Sequence, residues 1–160
     1  MAKILIIYYS KTGNTKAMAE EVSRGAKAVG AEVVLKPVGE ASVDELMDAD
    51  GIVVGSPTYY GHSASPIHEF IERSVKYHGR LAGKVGGAFA SSANIGGGTE
   101  TTILDLLHVM LIHGMIVQGS AGGAHYGPVA INRLDERSKM QCFDLGRAVA
   151  ALAEKVRLAK

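Results

Sequence analysis

The chain has 160 residues, enough for one domain whose core needs no disulfide or metal to hold it together. Hydrophobic residues make up 47% and charged residues 21%, which is a globular balance and excludes a disordered chain. Because 17 basic and 16 acidic residues leave a net charge of +1, we expect neither a nucleic-acid nor a membrane partner.

Short apolar runs alternate with longer periodic segments along the chain. The runs are rich in Val, Ile or aromatic residues, are bounded by Gly, Pro or Ser, and predict buried strands over residues 4–9, 32–36, 51–55, 85–90 and 115–119. The other segments predict helices over residues 14–29, from Ser42 with Glu45 completing a capping box, from Pro66, over 100–112 and over 135–158. This alternation predicts an α/β fold in which one domain, residues 1–160, contains a parallel sheet covered by helices on both faces.

The loop after the first predicted strand has the composition of a phosphate site. In an open parallel sheet, ligands bind beyond the carboxyl ends of the strands, where the strand order reverses. Hydroxyl groups, a glycine and the free amides of a new helix occur together there, in the sequence Ser10-Lys11-Thr12-Gly13-Asn14-Thr15. The loop is neither a Walker A loop nor a dinucleotide fingerprint. An ordinary strand-to-helix turn is the alternative.

Two further loops should lie at the same edge of the sheet. Residues 55–62 include Tyr59 and Tyr60, whose aromatic faces suit a flat ligand, with core packing or a subunit interface as the alternative. Residues 91–100 contain three consecutive glycines that let the backbone approach a ligand closely, with a turn capped by Thr99 as the alternative. Together the loops predict a phosphate nest between two walls, which fits a phosphorylated planar cofactor.

The cysteine and histidine content bears on compartment and metal binding. A single cysteine, Cys142, excludes an internal disulfide and is typical of a reducing cytoplasm. The apolar run of residues 4–9 is too short to span a membrane and no cleavage site follows it, so we expect a cytoplasmic protein. The six histidines lack the spacing of metal ligands, and we expect no metal site.

The three loops carry a family resemblance. Residues 10–15 resemble the FMN phosphate loop of flavodoxins. Residues 55–61 resemble the flavin-ring loop of the tryptophan-repressor-binding-protein-like NAD(P)H:quinone oxidoreductases, as do residues 96–102 followed by His113-Gly114-Met115. The resemblance covers nearly the whole chain. It implies a flavodoxin-like three-layer α/β/α fold, a five-stranded parallel sheet of order 2-1-3-4-5, and FMN as the cofactor.

The resemblance also implies roles for individual residues. The cofactor-binding residues would lie in the phosphate loop (Ser10, Lys11, Thr12, Gly13, Asn14, Thr15), in the ring loop (Pro57, Thr58, Tyr59, Tyr60, Gly61) and in the other wall (Ser91, Ser92, Ala93, Asn94, Gly96). His125 borders the carboxyl-end region and is added to this set. His113 matches a histidine near the flavin in the assembled active site of the family, which makes it the candidate catalytic residue, with a structural role as the alternative.

The implied function is electron transfer from NAD(P)H through bound FMN to a quinone or similar acceptor. A flavodoxin-type electron carrier that docks on a redox protein is the alternative, although the nearly neutral charge argues against electrostatic docking. An FMN-binding regulatory protein without turnover is a third possibility. The resemblance and the charge imply a homodimer or homotetramer, but residues 120–128 replace a longer family loop that helps to shape the substrate entrance and the assembly.

Overall fold

Strands and helices alternate along residues 1–159, the part of the chain that the computed structural model describes. The strands of this part are β1 (Lys3–Tyr8), β2 (Glu32–Pro37), β3 (Gly51–Tyr59), β4 (His62–Ser63), β5 (Val85–Ser92), β6 (Ile116–Val117) and β7 (Val129–Ile131). The α-helices are α1 (Asn14–Ala28), α2 (Glu45–Asp48), α3 (Ser65–Arg73), α4 (Thr99–Ile112) and α5 (Glu136–Leu158). Two 3-10 turns, Val38–Glu40 and Ser74–Tyr77, follow β2 and α3.

The main sheet is parallel and has the strand order β2-β1-β3-β5-β6. The predicted flavodoxin-like order of five parallel strands is therefore confirmed for these five strands. Two short strands were not predicted: β4 pairs antiparallel with β3, and β7 pairs with β5. The chain leaves β1 toward β2 and then returns to β3 on the other side of β1. The carboxyl ends of β1 and β3 consequently border the crevice where open α/β sheets bind ligands.

The fifth position of the sheet is shared by two strands. β6 pairs with Val85 and Gly86 at the start of β5, whereas β7 pairs with residues 90–92 at its end. Residues 118–128 leave the sheet between them. The strand predicted over residues 115–119 is therefore only Ile116–Val117, because the glycine-rich segment that follows supports no strand ladder.

Both faces of the sheet are buried against helices. In β1, Ile4 and Ile6 face the cluster formed with α1 and α5, whereas Leu5 and Ile7 face the cluster formed with α3 and α4. A strand covered on both sides needs an unbroken apolar run, and this is why residues 4–9 show no polar alternation. α1 and α5 touch at Gly146, where a β-carbon would lie 1.9 Å from the Val22 carbonyl oxygen.

The helix ends differ from prediction mainly at α2. The Glu45 carboxylate accepts a hydrogen bond from the Ser42 N–H (2.9 Å), as a capping-box glutamate would, but Glu45 is itself the first residue of a four-residue helix. α1, α4 and α5 begin and end within one residue of the predicted bounds, and α3 begins one residue before Pro66. Within residues 1–159, no helix combines the length and the apolar character needed to cross a membrane.

Candidate functional site

The loop after β1 leaves the start of α1 open. The Gly13 N–H donates to Ser10 Oγ at 3.1 Å, which folds the loop back on itself. Gly13 precedes the helix with φ +102°, in the left-handed region that favours glycine, and no side chain caps α1. No acidic residue lies in the first turn, and a β-carbon on Gly13 would meet no atom within 4 Å. The first amides of α1 therefore face open space, as they do in an anion-binding site.

Thr15 joins this loop to the end of β5. Its Oγ1 lies 2.9 Å from Ser91 Oγ, and both residues are buried. Thr15 and Ser91 thus connect the loop to the end of β5, and a ligand-binding role for either hydroxyl stays a prediction. The hydroxyl groups that remain accessible belong to Ser10, which is half-buried, and to Thr12, which is exposed.

Asn132, which was not predicted, joins the predicted phosphate loop to the end of β5. Its N–H donates to the Ser92 carbonyl at 2.7 Å, and its own carbonyl accepts from Asn14 Nδ2. Asn132 has φ +63°, a conformation that asparagine adopts more readily than most residues. An asparagine directly after the apolar run of β7 was the available signal. One residue thus ties the phosphate loop to the loop that follows β5.

The ring loop is the turn of a β-hairpin formed by β3 and β4. Thr58 pairs with Ser63 and Tyr59 with His62, which leaves Tyr60 and Gly61 as a two-residue turn. Both turn residues have positive φ, +51° and +79°, as in a type I′ turn. Tyr60 is fully exposed in this conformation, which is unfavourable for a bulky residue and is a mark of functional sites.

Tyr59 stands beside this turn and is partly exposed. Partial burial, and to a smaller extent the neighbouring Tyr9, raises the pKa of the Tyr59 hydroxyl above its usual value. The hydroxyl therefore stays protonated at neutral pH and can donate a hydrogen bond. The hairpin thus offers one neutral phenol and one fully exposed aromatic ring at the edge of the sheet.

The start of α4 packs directly on this hairpin. A β-carbon on Gly98 would lie 2.7 Å from Gly61 Cα, so only glycine permits this approach. Thr101 Oγ1 donates to the Gly61 carbonyl at 2.7 Å, and Thr102 Oγ1 donates to Thr58 Oγ1 at 3.0 Å. In the alternative interpretation of this loop, Thr99 caps the helix. The N-cap is instead Gly98, and the Thr99 hydroxyl bonds to the Glu100 carboxylate.

The other wall is the loop between β5 and α4. The Ser92 hydroxyl donates to the Asn94 carbonyl at 2.8 Å, and the same carbonyl accepts from the Gly97 N–H at 3.1 Å. Ala93, Asn94 and Gly96 are exposed along this loop.

The ends of β1 and β3 are also joined. The Tyr9 N–H at the start of the phosphate loop donates to the Gly55 carbonyl at the start of the ring loop, at 3.2 Å. The structure thus brings the three predicted loops together at one edge, whereas the ligand-binding role of their residues stays a prediction.

His113 does not join this site within its own chain. α4 begins at the carboxyl edge and has 14 residues, so its last turn lies about 21 Å away at the other edge. His113 directly follows that turn and is buried, with Nε2 2.9 Å from Ser74 Oγ. Burial, helped by neighbouring His78, lowers the pKa of His113 and keeps the ring neutral.

His125 also lies apart from the three loops. It belongs to the segment that interrupts the fifth strand, and its Nδ1 donates to the Ser120 carbonyl at 2.6 Å. With Gln141 and Asp144 of α5 it lines a cavity of about 500 Å³ that contains no residue of the three loops. Among residues 1–159, no group of three or more His, Cys, Asp or Glu side chains is arranged to hold a metal ion.

Comparison with known proteins agrees with this geometry. A family model described as a flavodoxin domain matches residues 5–101. An NAD(P)H dehydrogenase (quinone) of Sinorhizobium fredii is 43% identical, over 74% of this chain and 71% of that protein. The structure of a WrbA-like flavodoxin from Agrobacterium tumefaciens is 27% identical with a TM-score of 0.83, and that of an archaeal flavodoxin is 29% identical with a TM-score of 0.79; each covers 97% of this chain and 99% of the other. The chain belongs to the flavodoxin domain family.

Proposed function

We propose that this protein is an FMN-dependent oxidoreductase that transfers electrons from NAD(P)H to a quinone or a similar acceptor. The observation that carries the proposal is the open, uncapped start of α1 beside the Tyr59–Tyr60 hairpin. The 43% identity to an NAD(P)H dehydrogenase (quinone) supports the choice of donor and acceptor.

The residues at this edge fit FMN. The first amides of α1, the hydroxyls of Ser10 and Thr12, and the exposed Lys11 supply donors and positive charge for one phosphate. The hairpin turn and the loop of residues 92–97 flank the space available to a ring system. Because there is one phosphate cradle and no second nucleotide motif, FMN fits better than FAD.

Bound FMN supplies the hydride chemistry, and the chain's own residues bind and orient it. The amides of α1 neutralise the phosphate charge, and the hairpin presents an aromatic surface where flat substrates are held. Tyr60 is fully exposed and Ile95 is 90% exposed, so the mouth of the site is apolar. Such a surface suits the nicotinamide and quinone rings better than it suits charged substrates.

His113 has a structural role within the subunit in this proposal. The Ser74 hydroxyl donates its only hydrogen to the Ile71 carbonyl at 2.6 Å, so the hydrogen between Ser74 and His113 belongs to His113 Nε2. The ring thereby joins the end of α4 to the end of α3. His113 could act on a flavin only if that flavin belonged to another subunit.

Replacing His113 with Ala separates the two roles of this residue. We expect the variant to lose stability, to keep its full FMN content, and to turn over within about threefold of wild type once folded. A fall in rate of about 10- to 1,000-fold at unchanged stability would instead make His113 catalytic.

Turnover and cofactor content test the main proposal. The purified protein should show a flavin absorption spectrum, release FMN on acid treatment, and oxidise NADH or NADPH in the presence of benzoquinone. The apoprotein should lack this activity and regain it with FMN. Absence of flavin, or stoichiometric FAD, would contradict the cofactor assignment.

A flavodoxin-type electron carrier is the second candidate function. The exposed apolar mouth formed by Tyr60 and Ile95 would suit docking of a redox protein, and the archaeal flavodoxin is 29% identical over nearly the whole chain. A protein that binds FMN, oxidises no NAD(P)H and accepts single electrons from a reductant in separate steps would be such a carrier.

We also infer a homo-oligomeric protein of the cytoplasm whose residues 1–160 act as one domain. α4 exposes Leu111 by 59% and Ile112 by 70%, an apolar surface that a second subunit would cover. Cys142 is the single cysteine and is buried, so the chain forms no internal disulfide, which is typical of proteins in a reducing compartment. Light scattering that reports a monomer at high micromolar concentration with FMN bound would contradict the oligomer.

A further inference from the structure

Three polar side chains from separate elements meet beside the ring-loop hairpin. They are Ser63 of β4, His68 of α3 and Asp105 of α4. Asp105 Oδ2 accepts hydrogen bonds from the Ser63 N–H at 3.2 Å and from the Ser63 hydroxyl at 2.8 Å. His68 Nε2 lies 3.0 Å from the same carboxylate oxygen and 2.7 Å from Ser63 Oγ.

The hydrogen atoms of this cluster can be assigned. Because the Ser63 hydroxyl gives its only hydrogen to Asp105, the hydrogen shared with His68 must be carried by Nε2 of the ring. His68 therefore donates to both neighbours. Ser63 is buried and its hydroxyl already serves the carboxylate, so the cluster does not activate a serine nucleophile.

The carboxylate is ionised in this environment. Burial alone would raise the pKa of Asp105, but the two hydrogen bonds from Ser63 and the contact with His68 outweigh it, and the pKa lies below its usual value.

The cluster adds to what holds the hairpin in place. The β3–β4 ladder has only two residue pairs, and an isolated hairpin of this size is marginally stable. α4 already binds the turn through Thr101 and the β3 side through Thr102. Asp105 binds the β4 side. α4 thus contacts the turn and both strands of the element that carries Tyr59 and Tyr60.

We propose that Asp105 is a positioning residue for the cofactor ring, because through Ser63 and His68 it holds the β3–β4 hairpin in the conformation that presents Tyr59 and Tyr60. The inference rests on the proposed FMN site, and none of the three residues belongs to the loops predicted from sequence. Without the carboxylate, the buried Ser63 amide and hydroxyl lose their acceptor, and the hairpin opens more often.

Amide hydrogen exchange of the apoprotein tests the hairpin directly and requires no flavin. Asp105→Ala and His68→Ala should increase exchange of the Ser63 amide and its hairpin neighbours by about tenfold or more. His68→Gln, whose amide can replace the Nε2 donor, should restore most of the protection lost in His68→Ala. The matched control is Asp144→Asn on α5, a helical aspartate that pairs with Arg147 away from the hairpin and should change nothing.

Comparing the affinities for FMN and for riboflavin distinguishes an effect at the ring from an effect at the phosphate. Asp105→Asn should weaken binding of FMN and of riboflavin by the same factor, about 5- to 50-fold, since both ligands carry the ring. In Asp105→Asn the hairpin that carries Tyr59 and Tyr60 is displaced, and this aromatic surface holds the flat substrate. Turnover of the FMN-saturated variant should therefore show a raised KM for benzoquinone with a smaller change in kcat.

Several outcomes would overturn the inference. Exchange in Asp105→Ala and His68→Ala no faster than in Asp144→Asn would show that the cluster does not hold the hairpin. A loss of FMN affinity without a loss of riboflavin affinity would place the effect at the phosphate. If Asp105→Ala does not fold, His68→Ala and Asp105→Asn decide the same question. Failure of wild type to bind any flavin overturns the proposed function, whatever the exchange rates.

Discussion

The starts of α1 and α5 both follow a strand at the carboxyl edge of the sheet, but only the start of α5 is capped by side chains. At α5, Asp135 Oδ1 accepts from the Ser138 N–H at 2.7 Å, and Ser138 Oγ accepts from the Asp135 N–H at 2.9 Å. Glu136 adds a negative charge in the first turn. At α1 the N-cap is Gly13, no side chain caps the helix, and the first turn contains no acid.

The difference distinguishes a helix start that its own side chains cap from one that we propose binds a ligand. Every helix begins with amides that have no partner within the helix. At α5 the Asp135 side chain satisfies the Ser138 amide, and the negative charges of Asp135 and Glu136 would repel an anion. α1 leaves its first amides to an outside acceptor, which is water or, as we propose, the FMN phosphate. The capped start of α5 therefore contributes to stability, whereas the uncapped start of α1 stays available to an anion.

Converting the start of α1 into a capped end should have the largest effect. Gly13→Asp places a carboxylate in front of the α1 amides, where it occupies the cradle and repels the phosphate, so the FMN dissociation constant should rise by about 1,000-fold or more. Fluorescence titration of the apoprotein measures this. Gly79→Asp is the matched control, since Gly79 also has positive φ and an open β-carbon position. Equal losses in both variants would mean that strain, not the cradle, is responsible.

Removing one donor from the cradle should have an intermediate effect. Thr12→Val removes a hydroxyl that we propose donates to a phosphate oxygen, so FMN binding should weaken by about 1–3 kcal/mol. Riboflavin, which has no phosphate, should bind both proteins equally well in the same titration. A similar loss for riboflavin would show that Thr12 contacts the ring or shapes the loop.

Removing the cap of α5 should affect stability and leave FMN binding alone. Asp135→Ala leaves amides of α5 without their acceptor, so the thermal midpoint of the apoprotein should fall by about 4 °C at neutral pH. Hydrogen bonds from Ser138 lower the pKa of Asp135 in the folded protein. Its contribution is therefore present above the unfolded pKa and is lost as the pH falls through the folded value.

Thermal scans of both proteins, at neutral pH and near pH 3, measure this effect. The difference between wild type and Asp135→Ala should shrink in acid. A difference that persists there, or a weakened FMN affinity, would contradict the assignment of this cap as purely structural.

The smallest effect concerns Cys142, which lies within α5 and is fully buried. Burial raises the pKa of its thiol to about 12. Without thiolate or access, the folded protein should react with Ellman's reagent only as fast as it unfolds. The pH effect has the opposite sign to that of Asp135, because folding raises the thiol pKa. The contribution of Cys142 to stability is fully present below the thiol pKa of the unfolded chain and is lost as the pH rises above it. Rapid labelling of the folded protein would contradict this burial.

Local patterns predicted much of the chain because their causes are local. The unbroken apolar run of β1 reflects burial on both faces, and the predicted start of α5 lies within one residue of the helix that Asp135 caps in the structure. The phosphate loop was recognised because a hydroxyl, a glycine and a helix start lie within six residues. The divided fifth strand was missed, because pairing of Ile116–Val117 and Val129–Ile131 with β5 depends on an interruption that apolar content does not reveal.

By itself the sequence determined the fold class, the strand order through its family resemblance, and the three loops that meet at the carboxyl edge. Only the tertiary structure decided which distant side chains join them. Asn132 and Asp105 reach the loops because β7 lies beside β5 and because α4 crosses the hairpin. His113 does not, because the length of α4 carries it to the opposite edge. Spacing along the chain determines an element, whereas contacts between residues far apart in sequence depend on how long each element is and where it packs.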